Sequence, residues 1–180
     1  MPSSLTHAIA GAALAATVLP PRAPARYVAV AAAIAALPDL DILSGLSGLP
    51  EENLFGHRGL THSIFFALLV AITVTIALRR RDGPLGSGNP GRLWLALALA
   101  AASHGLLDAC TEAGNGVALL APFDPTRFFF EWRMISGPRV AEQTVWEVLL
   151  VRMSEIPVIW VPGVALLGIW WVRRRGGARY

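Results

Sequence analysis

The sequence predicts an all-α, polytopic membrane protein: about five transmembrane or half-spanning helices in one bundle, with a partly helical extracytoplasmic loop. Of its 180 residues, 54% are hydrophobic and only 15% are charged, whereas soluble domains carry about 25% charged residues. The apolar residues fall into five stretches with Arg clusters at their flanks, as the positive-inside rule describes. The length fits a single integral-membrane domain, 1–180.

Each apolar stretch predicts one helix. In chain order they are Leu5–Leu19, Tyr27–Leu43, Leu60–Leu78, Leu93–Cys110 and Ile156–Val172. The first is Ala-rich and ends at a Pro pair, and its 15 residues fit a short tilted span or a half-span. The second is interrupted by Pro38-Asp39-Leu40-Asp41.

Two polar segments connect these helices. The insertion 111–155 contains the aromatic cluster Phe128-Phe129-Phe130-Glu131-Trp132 and an amphipathic segment, roughly Val140–Met153. Aromatic side chains in such a loop suit the headgroup level of a bilayer, and packing within the loop explains them equally well. The segment Asp82–Gly91 is rich in Gly, Pro and Ser and predicts a flexible connection.

The composition argues against several classes of function. All fifteen basic residues are Arg, and the pI is near 10, but their position beside apolar runs indicates membrane topology rather than a nucleic-acid partner. The single cysteine, Cys110, excludes an internal disulfide and a thiolate-rich zinc site. The N-terminus has no positive region, so we expect no cleaved signal peptide.

Charge predicts the orientation of the bundle. If all five stretches span, ten of the fifteen Arg fall on one side and eleven of the twelve acidic residues on the other. The ten are Arg22, Arg26, Arg79, Arg80, Arg81, Arg92, Arg173, Arg174, Arg175 and Arg179. The positive-inside rule makes that side cytoplasmic. We therefore expect a multi-pass membrane protein with the N-terminus out and the C-terminus in, and the family resemblance given below implies a bacterial inner membrane.

All four histidines and three aspartates fall at the predicted outer ends of the helices. They are His7 in the first stretch, Asp39 and Asp41 in the second, His57 and His62 around the start of the third, and His104 and Asp108 near the end of the fourth. His7 by itself would be a satisfied core residue. Its position at the common level makes it a candidate ligand.

His104 and Asp108 are four residues apart, which places them on one face of a helix about one turn apart. The pair can bind one metal together, and a helix-stabilising pair is an equally good interpretation. Asp39 and Asp41 would diverge on a helix but share a side on extended backbone, which Pro38 favours. Two solvated loop charges are the alternative there, although the run is apolar on both sides.

The segment His57-Arg58-Gly59-Leu60-Thr61-His62-Ser63 supplies two imidazoles around a glycine. Gly59 would permit an irregular turn that lets both rings point inward. Arg58 suits an anionic substrate group, because guanidinium binds phosphate in a bidentate manner. An ion pair of Arg58 with Asp39, Asp41 or Glu51 is the alternative.

Together these residues predict a metal site. Imidazole and carboxylate ligands without thiolate suit Zn²⁺, Mn²⁺ or Fe²⁺. Seven ligands exceed the four of one tetrahedral ion, so we expect two ions, with zinc the first choice. Two-metal sites hydrolyse phosphoesters through metal-activated water.

Four motifs in this order resemble those of the YdjM-like family, described as LexA-regulated, inner-membrane, metal-dependent hydrolases. The motifs are His7-x-x-x-Gly11, Leu37-Pro38-Asp39-x-Asp41, His57-Arg58-Gly59-x-Thr61-His62-Ser63 and His104-x-x-x-Asp108. The resemblance covers about residues 1–112. More distantly, the His/Asp pattern is similar to that of zinc-dependent phospholipase C, which implies a phospholipid or another phosphoester as the substrate.

The expected function is therefore a phosphoric ester hydrolase that acts on a lipid or lipid-linked phosphoester at the extracytoplasmic interface. Arg58 would hold the anionic oxygen, and Glu112, one turn beyond Asp108, would manage the proton. An ion or small-molecule transporter is one alternative, although transporter sites usually lie near the midplane between structural repeats. A metal-stabilised, non-catalytic membrane protein is the other. The expected partners are membrane lipids, without nucleic acid.

Overall fold

The computed structural model describes residues 2–50, 52–86, 88–112, 114–136, 149 and 153–176. Its α-helices are α1 (Ser4–Val18), α2 (Ala25–Ala36), α3 (Ile64–Gly86), α4 (Pro90–Ala109) and α5 (Val161–Gly176). The described residues contain no strand, only two isolated β-bridges in the loop after α4. The all-α class is therefore confirmed.

The helices pack through small side chains. α1 contacts α2, α4 and α5, and α4 also contacts α2 and α3. Alanines without exposed surface, such as Ala15, Ala31 and Ala100, fill the shared core, and small residues let helix backbones approach closely. A Cβ on Gly11 would lie only 2.3 Å from the Cβ of Ala35, so α1 and α2 cross in close contact there.

The outward faces of the bundle are apolar. On α3, for example, Leu69, Ile72 and Ile76 are about half exposed. Within the described part of the chain, two helical segments are long and apolar enough to cross a bilayer, namely Ala25–Ser44 and Met153–Gly176. α1 is apolar but has only 15 residues, fewer than the roughly 20 of an untilted span. These features support part of the polytopic interpretation, and the five-span topology stays a prediction.

α3 is longer than the sequence indicates, so the predicted flexible connection at Asp82–Gly91 is wrong in its first half. Asp82 accepts a hydrogen bond from the Tyr27 hydroxyl (2.6 Å) and pairs with the Arg26 guanidinium (2.8 Å). These contacts tie the last turns of α3 to the start of α2. Asn89 then caps α4 by accepting from the backbone N–H of Gly91 (2.9 Å).

The loop after α4 folds back onto the end of the bundle where α4 ends. Val117 and Phe128 exchange backbone hydrogen bonds of 3.0 and 2.9 Å, and the N–H of Phe130 donates to the carbonyl of Ala109 (2.9 Å). Phe128 packs against a small buried cluster, whereas Trp132 is 79% exposed. Phe128 therefore has the packing role considered for the cluster, and a position of Trp132 at the headgroup level stays a prediction. Of the amphipathic segment Val140–Met153, all but residues 149 and 153 lie outside the described residues.

The close crossing of α1 and α2 predicts a stability difference between two identical substitutions. We expect Gly11→Ala to lower the free energy of unfolding by about 1–3 kcal/mol, because the new methyl overlaps Ala35. Thermal unfolding of the detergent-purified chain measures this. The matched control is Gly168→Ala on α5, whose new Cβ meets no atom within 4 Å. Equal melting temperatures for the two variants would contradict the close crossing.

Candidate metal centre

The seven predicted ligands meet at one end of the bundle. The first turn of α1 supplies His7, and the 3-10 segment Leu37–Ser47 after α2 supplies two aspartates. The turn and short 3-10 helix before α3 supply two histidines, and the end of α4 supplies the remaining pair. Their donor atoms form three overlapping groups in which all atoms lie within 4.8 Å of one another.

The first group is His7, Asp39 and His104. The rings of His7 and His104 stack with centroids 3.7 Å apart, and His104 Nε2 lies 3.6 Å from Asp39 Oδ1. His104 Nδ1 lies 2.7 Å from the carbonyl oxygen of Ala35. Since a carbonyl only accepts, Nδ1 carries the hydrogen and the lone pair of Nε2 faces the group.

The second group is Asp41, His57 and His62. Asp41 Oδ1 lies 2.5 Å from His57 Nδ1, and Asp41 Oδ2 lies 3.0 Å from His62 Nδ1. The Thr61 hydroxyl donates to the same carboxylate (2.5 Å). A carboxylate that holds Nδ1 turns the opposite nitrogen of the ring toward a ligand. Asp41 thereby fixes the orientation of His62.

The third group, His62, His104 and Asp108, joins the other two. The Nε2 atoms of His62 and His104 are 3.0 Å apart, and His62 Nε2 lies 3.5 Å from Asp108 Oδ2. Asp108 Oδ1 lies 3.3 Å from His7 Nε2. A Cβ on Gly105 would lie 2.1 Å from the carbonyl oxygen of His62, so only glycine lets α4 approach this closely.

Buried polar atoms without hydrogen bonds indicate that this cluster suits a cation. Both ring nitrogens of His7 and both carboxylate oxygens of Asp39 and Asp108 are buried and make no hydrogen bond of good geometry with a described residue, although Asp108 lies within ion-pair distance of Arg58, His7 and His62. An unsatisfied buried polar group costs about 1–3 kcal/mol, and more when charged. Ions bound by nitrogen and oxygen ligands would remove that cost, so the residues present fit a divalent metal.

Arg58 is the buried cation of the site. Its side chain is 3% exposed, and its Nε lies 3.2 Å from Asp108 Oδ2. One terminal nitrogen donates to the Thr111 hydroxyl (3.3 Å). A Cβ on Gly114 would lie 2.2 Å from the other terminal nitrogen, so that glycine makes room for the guanidinium. Arg58 therefore forms an ion pair, as the sequence alternative considered, with Asp108 as its carboxylate partner, and Glu51 lies outside the described residues.

The local backbone differs from the expectation at the two aspartates and agrees with it at the histidine turn. Asp39 and Asp41 lie on a 3-10 segment rather than extended backbone, and they diverge into the first and second groups. In the histidine turn Arg58 has a positive φ of 63°, and Gly59, with φ of −86° and ψ of −132°, also lies outside the helical and extended regions, as expected of the glycine. Gly59 is required for space, because its Cβ would lie 2.2 Å from the carbonyl oxygen of Leu54. Positive φ in a non-glycine residue costs about 1–2 kcal/mol and is frequent at functional sites.

Glu112 does not continue the helical face of Asp108. α4 ends at Ala109, and Glu112 is exposed in the loop, where its backbone N–H donates to the carbonyl of Ile135 (3.2 Å). No described contact joins its side chain to the cluster.

Glu155 is a buried carboxylate that the sequence did not single out. It has no exposed surface and accepts from the backbone N–H (3.0 Å) and hydroxyl (2.9 Å) of Ser3. It also accepts from the hydroxyl of Thr6, the residue before His7. The indole of Trp160 donates to that hydroxyl (2.7 Å). The only signal in the sequence is a lone acidic residue directly before the last apolar stretch.

Comparison with known proteins identifies the family. The model of the YdjM inner membrane protein family matches residues 1–177. Inner membrane protein YbcI of Escherichia coli (strain K12) is 38% identical over 183 residues, which cover 97% of this chain and 100% of the relative. No solved structure matches the chain. The chain belongs to the YdjM family, and the match extends well beyond the 1–112 region that carries the motifs.

The contacts of Glu155 predict that it holds the first turn of α1. We expect Glu155→Gln to lower the free energy of unfolding by about 1–3 kcal/mol, since the amide cannot accept all three donors. Thermal unfolding in detergent measures the change. The matched control is Glu52→Gln, at an exposed position. A loss of stability of the same size in both variants would refute a specific role for Glu155.

Proposed function

We propose that this member of the YdjM family is a membrane-embedded, metal-dependent phosphoric ester hydrolase. Its substrate would be a phospholipid or a lipid-linked phosphoester at the extracytoplasmic surface. The observation that carries this proposal is a buried His/Asp cluster, with unsatisfied ligand atoms, that pairs with a buried arginine. The family and the relative carry the words "inner membrane protein", which supports the membrane setting.

Two ions would be held by the seven ligands of the three overlapping groups. Asp108 lies beside the facing imidazoles of His62 and His104, where the first and second groups meet. Zinc suits these ligands best, and manganese or iron is compatible with them. When bound, such ions lower the pKa of a coordinated water and offset the charge of a phosphoryl group. His104, fixed through Ala35, and His62, fixed through Asp41, present preoriented nitrogens, which reduces the reorganisation needed on loading.

Arg58 would bind the anionic oxygen of the substrate. Asp108 and Thr111 hold its guanidinium in place, so its positive charge is positioned before the substrate arrives. A preorganised charge in a site that excludes water stabilises a developing negative charge more than a mobile surface charge does.

Glu112 is the proposed carboxylate for proton exchange. It lies three residues beyond α4, exposed to solvent. In that position it would pass protons between bulk water and the site, rather than act from inside the ligand cluster.

A metal-stabilised, non-catalytic protein is the second candidate. The observation that favours it is the complete burial of His7, His104 and Asp108, since structural metal sites are closed whereas catalytic sites keep a position open for water.

Metal counting and hydrolysis assays on the detergent-purified chain test the proposal. We expect about two divalent ions per chain by elemental analysis and hydrolysis of phosphodiester or phospholipid substrates. Asp108→Asn should lose most of the metal, because the carboxylate of Asp108 contacts His7 of the first group and His62 of the second. The loop variant Asp124→Asn is the control and should keep it. Arg58→Gln should retain metal and lose about 10²-fold or more in turnover.

The outcomes separate the candidates. Metal retained without hydrolysis across a broad panel of phosphoesters would support the non-catalytic protein. A chain purified without metal, and unable to bind added zinc, would contradict both candidates.

The proposed topology places the cluster outside the cytoplasm and the Arg-rich end inside, with the N-terminus out and the C-terminus in. Cys110, directly after α4 and partly exposed, is a natural reporter for the outer end. We expect a membrane-impermeant maleimide to label it in intact spheroplasts. In a Cys110→Ser background, Ala25→Cys at the exposed start of α2 should label only after permeabilisation. The reverse pattern would invert the topology.

A further inference from the structure

A second cavity lies at the end of the bundle opposite to the His/Asp cluster. Its volume is about 320 Å³, and it is formed by the C-terminal end of α1 with the following Pro pair, the first turn of α4, and α5. Arg92 of α4 and Arg173 of α5 line it from two separate helices. None of the residues proposed as metal ligands contributes to it.

The charge of this cavity calls for an anion. Asp82 is the only acidic residue that the sequence places at the Arg-rich end, and it already binds Arg26 and Tyr27. Among the described residues, neither Arg92 nor Arg173 forms an ion pair with a carboxylate. Arg92 also lies in the first turn of α4, where the helix dipole is positive. An anion in the cavity would be stabilised by both guanidinium groups and by that helix end.

Apart from Thr17, the remaining lining is mainly apolar and continues onto the exposed face of α5. Leu166 and Ile169 line the cavity and are themselves 38% and 49% exposed. Trp170 also lines it, and its indole N–H is buried without a hydrogen-bond partner in the described part of the chain. The Arg174 guanidinium lies 5.3 Å from the centre of the Trp170 ring. A cavity with guanidinium groups beside an exposed apolar surface matches a ligand that has an anionic head and a hydrocarbon tail.

We propose that this cavity binds the phosphate headgroup of an anionic phospholipid, with an acyl chain along Leu166 and Ile169. Basic pockets between membrane helices bind such headgroups on the cytoplasmic side of membranes. The two guanidinium groups match a negatively charged headgroup. The apolar surface of α5 connects the cavity to the exposed side of the bundle, where an acyl chain would lie. The proposal does not depend on hydrolysis at the other end.

Thermal unfolding with added lipid tests this site in the full chain, purified in a neutral detergent. We expect phosphatidylglycerol to raise the melting temperature more than phosphatidylcholine does, and native mass spectrometry to show retained phosphatidylglycerol. Arg92→Gln with Arg173→Gln should weaken phosphatidylglycerol binding about tenfold or more. The matched control is Arg80→Gln with Arg81→Gln, two exposed residues at the same end that do not line the cavity.

Three outcomes would overturn the proposal. Equal stabilisation by phosphatidylcholine would mean a nonspecific apolar contact, and equal stabilisation by inorganic phosphate would mean a free-anion site. An equal loss in both double variants would mean diffuse charge attraction rather than this cavity. If the Arg92/Arg173 variant does not fold, Ile169→Trp tests the site instead, because it narrows the cavity and keeps both charges. Undiminished phosphatidylglycerol binding by Ile169→Trp would also overturn the proposal.

Discussion

The rest of the site depends on one constraint: the carboxylate of Asp108 is completely buried inside an apolar bundle. An isolated buried charge is too costly to persist, so such groups are paired or bind metals. Here Arg58 contacts one oxygen of Asp108 and His7 contacts the other, and His62 adds a third contact. Three separate segments are therefore fixed relative to the end of α4 by one side chain. The left-handed backbone of Arg58 belongs to the same arrangement, because its strain is tolerated only where surrounding contacts enforce it.

The position of α1 depends on two further contacts. Gly11 allows α1 to approach α2 closely enough for His7 to stack on His104. Glu155, in the helical segment that leads into α5, binds the first turn of α1. Without a hydrophobic driving force between helices in lipid, close backbone packing and interhelical hydrogen bonds carry more of the association energy. The last helix thus supports the site without supplying a ligand to it.

Much of this arrangement follows from the sequence because it depends on local patterns. Apolar runs located the helices to within a few residues, apart from the extra turns of α3, and the alternation of their directions placed every His at one level. The errors share a physical cause in tertiary contacts. The Asp82 network extends α3, and Arg58 pairs with Asp108, a carboxylate on another segment that the sequence did not single out as its partner. The backbone around Pro38 forms a 3-10 segment where extended backbone was expected. Glu155 holds the first turn of α1 through contacts with residues about 150 positions earlier, which no local pattern indicates.

The exposure of the ligands defines the direction from which a substrate would approach. His7, His62, His104 and Asp108 have no exposed side-chain surface, whereas the side chains of Asp39 and His57 are 13% and 14% exposed. The open side of the cluster is therefore formed by the 3-10 segment after α2 and the histidine turn. Neither segment has the long runs of α-helical backbone hydrogen bonds found in the bundle core, so these two segments are the parts of the site best able to move for a ligand. A phosphoester reaching the site would meet the Asp39 and His57 side first, with Arg58 and Asp108 behind it.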